Sequence, residues 1–308
     1  MRMEMTDPGI DLVQPFQIER TGLRGRVVRL GSAVDALLAP NAYPAPVASL
    51  LAEAMALAAV LASGLKFDGV FTLQLQGDGP VPLLVVDVTS GGDLRGYARF
   101  DEGRLAAGPP FGDAPVPRLL GAGHMAFTVD QGPATNRYQG ITPLEGATLS
   151  DIAHTYFRQS EQLQTAIRLA AFDPATPNPP KRAAALMIQR LPPDADAFDA
   201  DVDWEEEWRR AVILMSSVTP AELLAPDLAA PAVLYRLFHE DGIRIFRPRP
   251  LRYRCRCSSD RVMRMLHGLA RSDRHALSEN GVITVTCEFC KAVYRASDKD
   301  LDAPAEDA

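Results

Sequence analysis

At 308 residues, 47% apolar and 23% charged, the chain has the composition of a globular protein with room for one large or two modest domains. A formal charge of −7 argues against polyanion binding by the whole surface, though not by a local patch. No apolar stretch reads as uninterrupted enough to span a bilayer, because the richest, residues 50–65, carries Glu53 and alternates leucine with alanine.

Taken in chain order, residues 46–63 have helical character with Gly64 as a stop. Phe71, Leu73 and Leu75 alternate with Thr72, Gln74 and Gln76, the period of a half-buried strand. Gly77-Asp-Gly-Pro80 is a turn, and residues 81–88 return as a buried strand to complete a hairpin. Further strands are predicted over 94–100 and 125–130, with the turn-rich Gly108-Pro-Pro-Phe-Gly112 between them. Thr148-Leu-Ser-Asp151 reads as a capping box opening a helix that carries Ile152, Tyr156, Phe157 and Leu163. Alternation resumes over 166–172 and 184–191. This order predicts an α+β fold of antiparallel sheets with helices packed on them.

Composition changes after Leu191. Residues 192–207 begin with a Pro-Pro pair and carry acids but no base, the signature of a linker. An amphipathic helix follows, with Trp204, Trp208, Val212 and Met215 on one face and Glu205–Arg209 and Glu206–Arg210 as expected i,i+4 pairs on another. Thr219-Pro-Ala-Glu222 starts a second helix with a cap, a first-turn proline and a returning glutamate. This helical stretch is either a hairpin packed on the main domain or a segment held only marginally.

From residue 243 onward the chain is arginine-rich. The cluster suits solvated charge, a nucleic-acid surface, or an attraction toward the acidic linker that salt would weaken. All four cysteines fall here, as Cys255-x-Cys257 and Cys287-x-x-Cys290. Unliganded core cysteines would sit in apolar segments, whereas these stand among Arg254, Arg256, Ser258, Glu288 and Lys291. Permanent disulfides suit a secreted chain, and the N-terminus has no apolar signal core, so the cytoplasm is the expected compartment. Two close pairs can close a four-sulfur site around one Zn²⁺, with His267 and His275 as weaker candidate ligands. The stretch Leu251-Arg-Tyr-Arg-Cys-Arg-Cys257 alternates as a strand with Leu251, Tyr253 and both cysteines on one side, so Cys255 and Cys257 can ligate together or oxidise to each other. Ser258 can cap a helix, Asn280-Gly281 is a turn pair, and residues 282–286 are a strand that delivers the Cys287–Cys290 knuckle, from which residues 292–295 lead away. So little apolar content is marginal without a metal.

Several segments together resemble the heat-shock protein 33 family of redox-regulated, ATP-independent bacterial holdases. They are Leu65-Lys-Phe-Asp-Gly69, Leu73-Gln-Leu-Gln-Gly-Asp-Gly-Pro80, Leu94-Arg-Gly-Tyr-Ala-Arg99, Tyr138-Gln-Gly-Ile141 with Pro143-Leu-Glu-Gly146, Tyr156-Phe-Arg-Gln-Ser-Glu-Gln-Leu163, Leu237-Phe-His-Glu240 and the two cysteine pairs. The resemblance implies a core domain over 1–191, a metastable helical linker over 192–243, a small zinc-binding redox switch over 244–300 and a disordered tail over 301–308. It further implies an inactive reduced zinc form, and oxidation to Cys255–Cys257 and Cys287–Cys290 disulfides. Linker release and client binding by an activated homodimer would follow. The chain departs from the family at Lys291, where relatives commonly have glycine after the last cysteine.

The sequence thus predicts a stress-activated chaperone without enzymatic activity, acting on unfolding polypeptides and not at a membrane. The competing function is a zinc-ribbon nucleic-acid binder with a redox-sensitive site. Catalysis is disfavoured because Gly77-Asp-Gly-Pro80 lacks the lysine of a phosphate loop and four cysteine ligands leave a zinc no open position.

Overall fold

The computed structural model describes residues 10–107, 114–132, 137–161, 163–190, 203–297 and 301. The glycine-proline turn at 108–112, most of the acidic stretch at 192–202 and the tail beyond Leu301 lie outside them. The chain divides into two compact units, Met1–Tyr253 and Arg254–Ala308.

The first unit opens with a hairpin of β1 (Leu12–Ile18) and β2 (Arg24–Leu30), then α1 (Ser32–Leu38) and α2 (Ala45–Gly64). A meander follows, β3 (Val70–Gly77), β4 (Leu83–Thr89) and β5 (Asp93–Arg99). After the short α3 (Glu102–Ala107) and α4 (Pro115–Leu119) come β6 (Gly123–Asp130) and β7 (Tyr138–Pro143). Helix α5 (Leu149–Tyr156) precedes β8 (Thr165–Ala171) and β9 (Ala183–Gln189), and then α6 (Trp204–Ser216), α7 (Pro220–Leu224) and α8 (Ala230–Phe238). Short strands β10 (Ile243–Ile245), β11 (Arg249–Pro250) and β12 (Arg252–Tyr253) end the unit.

These strands make two sheets. One has the order β10-β1-β2-β9-β8, with β11 also on β1; the other runs β12-β5-β4-β3-β6-β7. Every pairing in them is antiparallel except β12 with β5. Helix α2 touches strands of both sheets, and its residues from Val47 to Ala62 are buried apart from Ser49 and Glu53. A helix apolar on all sides must find cover on all sides, and two facing sheets supply it. This corrects the membrane reading: at 20 residues and a mean hydropathy of 1.9, α2 is long and apolar enough to cross a bilayer, and it is a core helix because 78% of that window is buried in protein.

The first sheet is covered on its other face too. Helices α6 to α8 place Ala211, Met215, Leu223, Val233, Leu234 and Phe238 against Phe16, Ile18, Val27 and Leu186 in a second core. Burial on both faces explains why β9 reads as a continuous apolar run rather than an alternating one. In contrast, β3 alternates because Leu73 and Leu75 face α2 while Thr72 and Gln74 face outward.

Helix α5 is shorter than expected. Thr148 and Asp151 form the capping box, but the helix ends at Tyr156 in a wide turn over Phe157–Glu161, so Leu163 lies beyond it. The strand β7 comes close to this helix, where a β-carbon at Gly140 would stand 2.7 Å from both Phe127 and Tyr156. Residues 244–253, grouped with the metal unit on their arginine content, instead run as strands on β1 and β5, and the compact division falls after Tyr253.

The second unit contains α9 (Ser259–His267), α10 (Arg271–Leu277) and the hairpin β13 (Val282–Thr286) with β14 (Val293–Ser297).

Candidate metal centre

The second unit is built by local signals around a very small core. Ser258 accepts a hydrogen bond from the Arg261 amide and caps α9. Asn280 and Gly281 take φ of +53° and +78°, the two positive values that a tight primed turn requires, and Glu279 and Val282 exchange hydrogen bonds across them. The fully buried residues are Leu266, Ile283, Ala296 and Leu301. So few apolar side chains leave the unit dependent on another source of stability.

Beside that core the four cysteines come together. The ligand atoms of Cys255, Cys257, Cys287 and Cys290 all lie within 4.8 Å of one another, each half-buried. Across the two pairs, the Sγ atoms of Cys255 and Cys287 are 3.7 Å apart and those of Cys257 and Cys290 are 3.4 Å apart. Four cysteines are therefore positioned to bind a metal ion. Neither His267 nor His275 belongs to the cluster.

The segment 254–257 is not the extended strand that its alternation suggests; regular pairing stops at Tyr253. Within it the Cys257 backbone N–H donates to the Cys255 sulfur. Residues 287–291 form the matching knuckle, closed by Lys291 N–H to the Cys287 carbonyl at 2.8 Å and Cys287 N–H to the Ala292 carbonyl at 2.9 Å. Lys291 sits in this turn at φ +58°, the left-handed region, which costs a residue with a β-carbon about 1 kcal/mol. Its Nζ meets Glu288 at 3.0 Å.

The four sulfurs are electrostatically unequal. Burial opposes ionisation of Cys255, but the Cys257 amide and the neighbouring thiols outweigh it, and its pKa falls to about 7. Burial pushes Cys287 up, and it pushes Cys290 up to about 12 together with the competing sulfurs. A metal-free cluster at neutral pH thus carries a partial thiolate, and metal binding must release the remaining protons. Tyr294 bears no motif and sequence reasoning passed over it, yet its hydroxyl donates to Cys257 Sγ at 3.1 Å. That bond pushes the tyrosine up to about 12.

The residues read as the linker's apolar face divide along α6. Met215 is buried with Ala211, and Trp208 and Val212 are half-buried against the second core. Trp204 begins the helix half-buried, with the Arg190 guanidinium 5.9 Å from its ring. The expected i,i+4 pairs do not form: Arg209 pairs instead with Glu206 at i,i+3, and the other two charges take partners outside the helix. Glu205 takes Arg190 and Gln164, while Arg210 takes Glu240 and the buried Asp241. Arg20 binds Glu207 and Asp241 from the β1–β2 turn, and buried Arg29 on β2 donates to the carbonyls of Glu222, at 2.8 Å, and Leu228. The arginine-rich run is likewise dispersed rather than gathered into one stripe: Arg244 pairs with Glu19, Arg252 with Asp93, and Arg249 donates to the Ser63 carbonyl.

The family model described as Hsp33 protein matches residues 11–297. The chain belongs to the Hsp33 family. Hsp33 relatives named 33 kDa chaperonin align along almost their full length. The one from Caulobacter vibrioides (strain NA1000 / CB15N) is 43% identical over 303 residues, covering 97% of each chain. The one from Ectopseudomonas mendocina (strain ymp) is 36% identical over 293 residues, covering 94% of each. Among solved structures, the Hsp33 homologue of Thermotoga maritima, also a 33 kDa chaperonin, superposes with a TM-score of 0.77 over 95% of this chain and 96% of its own. At 20% identity it supports the fold alone. Chaperone function comes with Hsp33 membership, and the α+β architecture agrees with the Hsp33 fold.

Proposed function

We propose that this chain is a redox-regulated, ATP-independent holdase that acts in the cytoplasm, and that Cys255, Cys257, Cys287 and Cys290 hold one Zn²⁺ in its inactive reduced state. The sulfur cluster carries this reading. Zinc with four bonds of about 2.3 Å spaces its sulfurs about 3.8 Å apart; the cross-pair separations are 3.7 and 3.4 Å. Four soft donors suit zinc and exclude magnesium or calcium. Bound zinc would keep all four sulfurs as thiolates and contribute on the order of 10 kcal/mol of folding free energy to this unit.

Oxidation then follows from the cysteines themselves. One thiolate attacks hydrogen peroxide, so that an S–O bond forms, the O–O bond breaks and hydroxide leaves. The neighbouring thiolate attacks the resulting sulfenic acid, forming S–S and expelling a second hydroxide. Each pair gives two electrons to one peroxide, which ends as two hydroxides that take up two protons from solvent to become water. Pairing of Cys255 with Cys257 and of Cys287 with Cys290 is favoured because those partners stay tethered within one or two residues, whereas the knuckles separate once the small unit loses its metal.

In this account residues 1–191 are the chaperone core, 192–243 the linker, and the switch is the cysteine-bearing part of 244–300 that begins at Arg254. Residues Trp204, Trp208, Val212 and Met215 form the apolar face that detaches from the sheet when the switch opens. The freed surfaces bind unfolding polypeptides, as a homodimer. Zinc-loaded reduced protein should fail to suppress aggregation of a thermally unfolding client, and peroxide-treated protein should suppress it. Equal suppression by both forms would overturn the regulation.

A further inference from the structure

We infer that a cavity at the C-terminal end of α2 binds a medium-chain fatty acid, with the chain among aromatic side chains and the carboxylate on Arg26. The site lies wholly in the first unit and is independent of the zinc reading. The cavity, about 250 Å³, lies between Phe71 and Phe127 of one sheet and Met187 of the other, and Tyr156, Phe157 and Leu163 complete its wall. That wall is packed in place: Phe127 stacks on Phe71 with centroids 5.9 Å apart and meets Tyr156 edge-on at 4.3 Å. The hydroxyls of Tyr156 and Tyr138 satisfy each other at 2.9 Å, so the wall presents apolar surface to a guest.

The head group is set by charge at the rim. Along β2, Val28 and Leu30 belong to the core around α2, so Arg26 points from the same face toward the end of that helix. Its guanidinium carbon lies 3.6 Å from where a β-carbon at Gly64 would stand, and its Nη1 donates to Gln189 Oε1 at 3.4 Å. Gly64 and Gln189 both line the cavity. Among the described residues no carboxylate pairs with Arg26, and one long hydrogen bond leaves most of its five N–H donors for a ligand. Burial, then the charges of Arg249 and Arg24, push its pKa down. Capping of α2 does not account for it, because Arg249 serves that end by donating to the Ser63 carbonyl at 2.8 Å. A half-buried guanidinium crowded by like charge is offset best by a carboxylate that accepts two of its N–H groups. A cavity of this size takes one short chain and not the two of a phospholipid.

The test titrates decanoate and decanol, below the concentrations at which they self-associate, into reduced full-length wild type, Arg26→Met and Leu163→Trp by calorimetry. Thermal melts show that each variant is folded. Wild type should bind one decanoate, more tightly than decanol and less tightly as salt rises. Arg26→Met should lose about 10- to 100-fold in decanoate affinity, the range of hydrogen bonds to a charged partner, and keep its affinity for decanol. Leu163→Trp should fill the cavity and weaken both ligands; if it does not fold, Arg26→Met decides alone. Wild type that binds no decanoate, or that binds decanol as tightly, would overturn the inference. Equal decanoate affinity in wild type and Arg26→Met would overturn it too, and none of these results bears on the metal centre.

Discussion

Glu53 is the one charged residue in α2; it is half-buried within an otherwise buried run, and desolvation there pushes its carboxyl up to about 7. An unfolded glutamate titrates near 4.5, so between about 4.5 and 7 the folded chain holds a proton that the unfolded chain has released. Stability from this residue is therefore greatest below the unfolded value and is lost as pH rises through the folded one. Glu53→Gln removes the ionisation and keeps the shape. It should melt at a higher temperature than wild type at pH 8 and at a similar temperature at pH 4.5. The same difference at both pH values would show that the carboxyl is not desolvated. Lys291 is the other residue held against its preference, and its left-handed backbone is imposed by the knuckle around Cys287.

At the scale of elements, α6 to α8 are fastened to the first sheet by arginines as much as by apolar packing. Arg29 is 4% exposed and donates to the carbonyls of Glu222 in α7 and of Leu228 in the bend before α8. Arg29→Met should cost about 2–3 kcal/mol and loosen these helices ahead of the rest of the unit. Both tryptophans, Trp204 and Trp208, lie in α6, so their fluorescence should shift at lower urea in the variant than in wild type. An unchanged midpoint would contradict the clasp. The strands and caps with local signals were legible in the sequence: β3 to its period of two, α5 and α7 to the boxes at Thr148 and Thr219, and the turn leading into β13 to Asn280-Gly281. The strands β1 and β2 carry no comparable signal. Their partners, β9 and β10, lie far along the chain, so pairing rather than local periodicity defines them. The same holds for β10 to β12, whose arginines read as part of the metal unit until their sheet neighbours are seen. The four cysteines were legible from spacing alone, whereas Tyr294 was not, because a hairpin register and no motif brings it to Cys257.

At the scale of the whole molecule, stability is unevenly divided. Among the described residues, the first unit has two extensive cores and the second has four fully buried apolar residues beside four sulfurs. A structure so divided can lose its smaller part while the larger remains folded, and in the reading proposed above thiolate chemistry decides when. The most direct test is zinc and free-thiol content per chain, measured before and after peroxide in the same sample used for client aggregation. The account predicts one zinc and four thiols beforehand, then loss of the zinc and of all four thiols in step with the appearance of chaperone activity. Retention of zinc, or of free thiols, in fully active protein would contradict it.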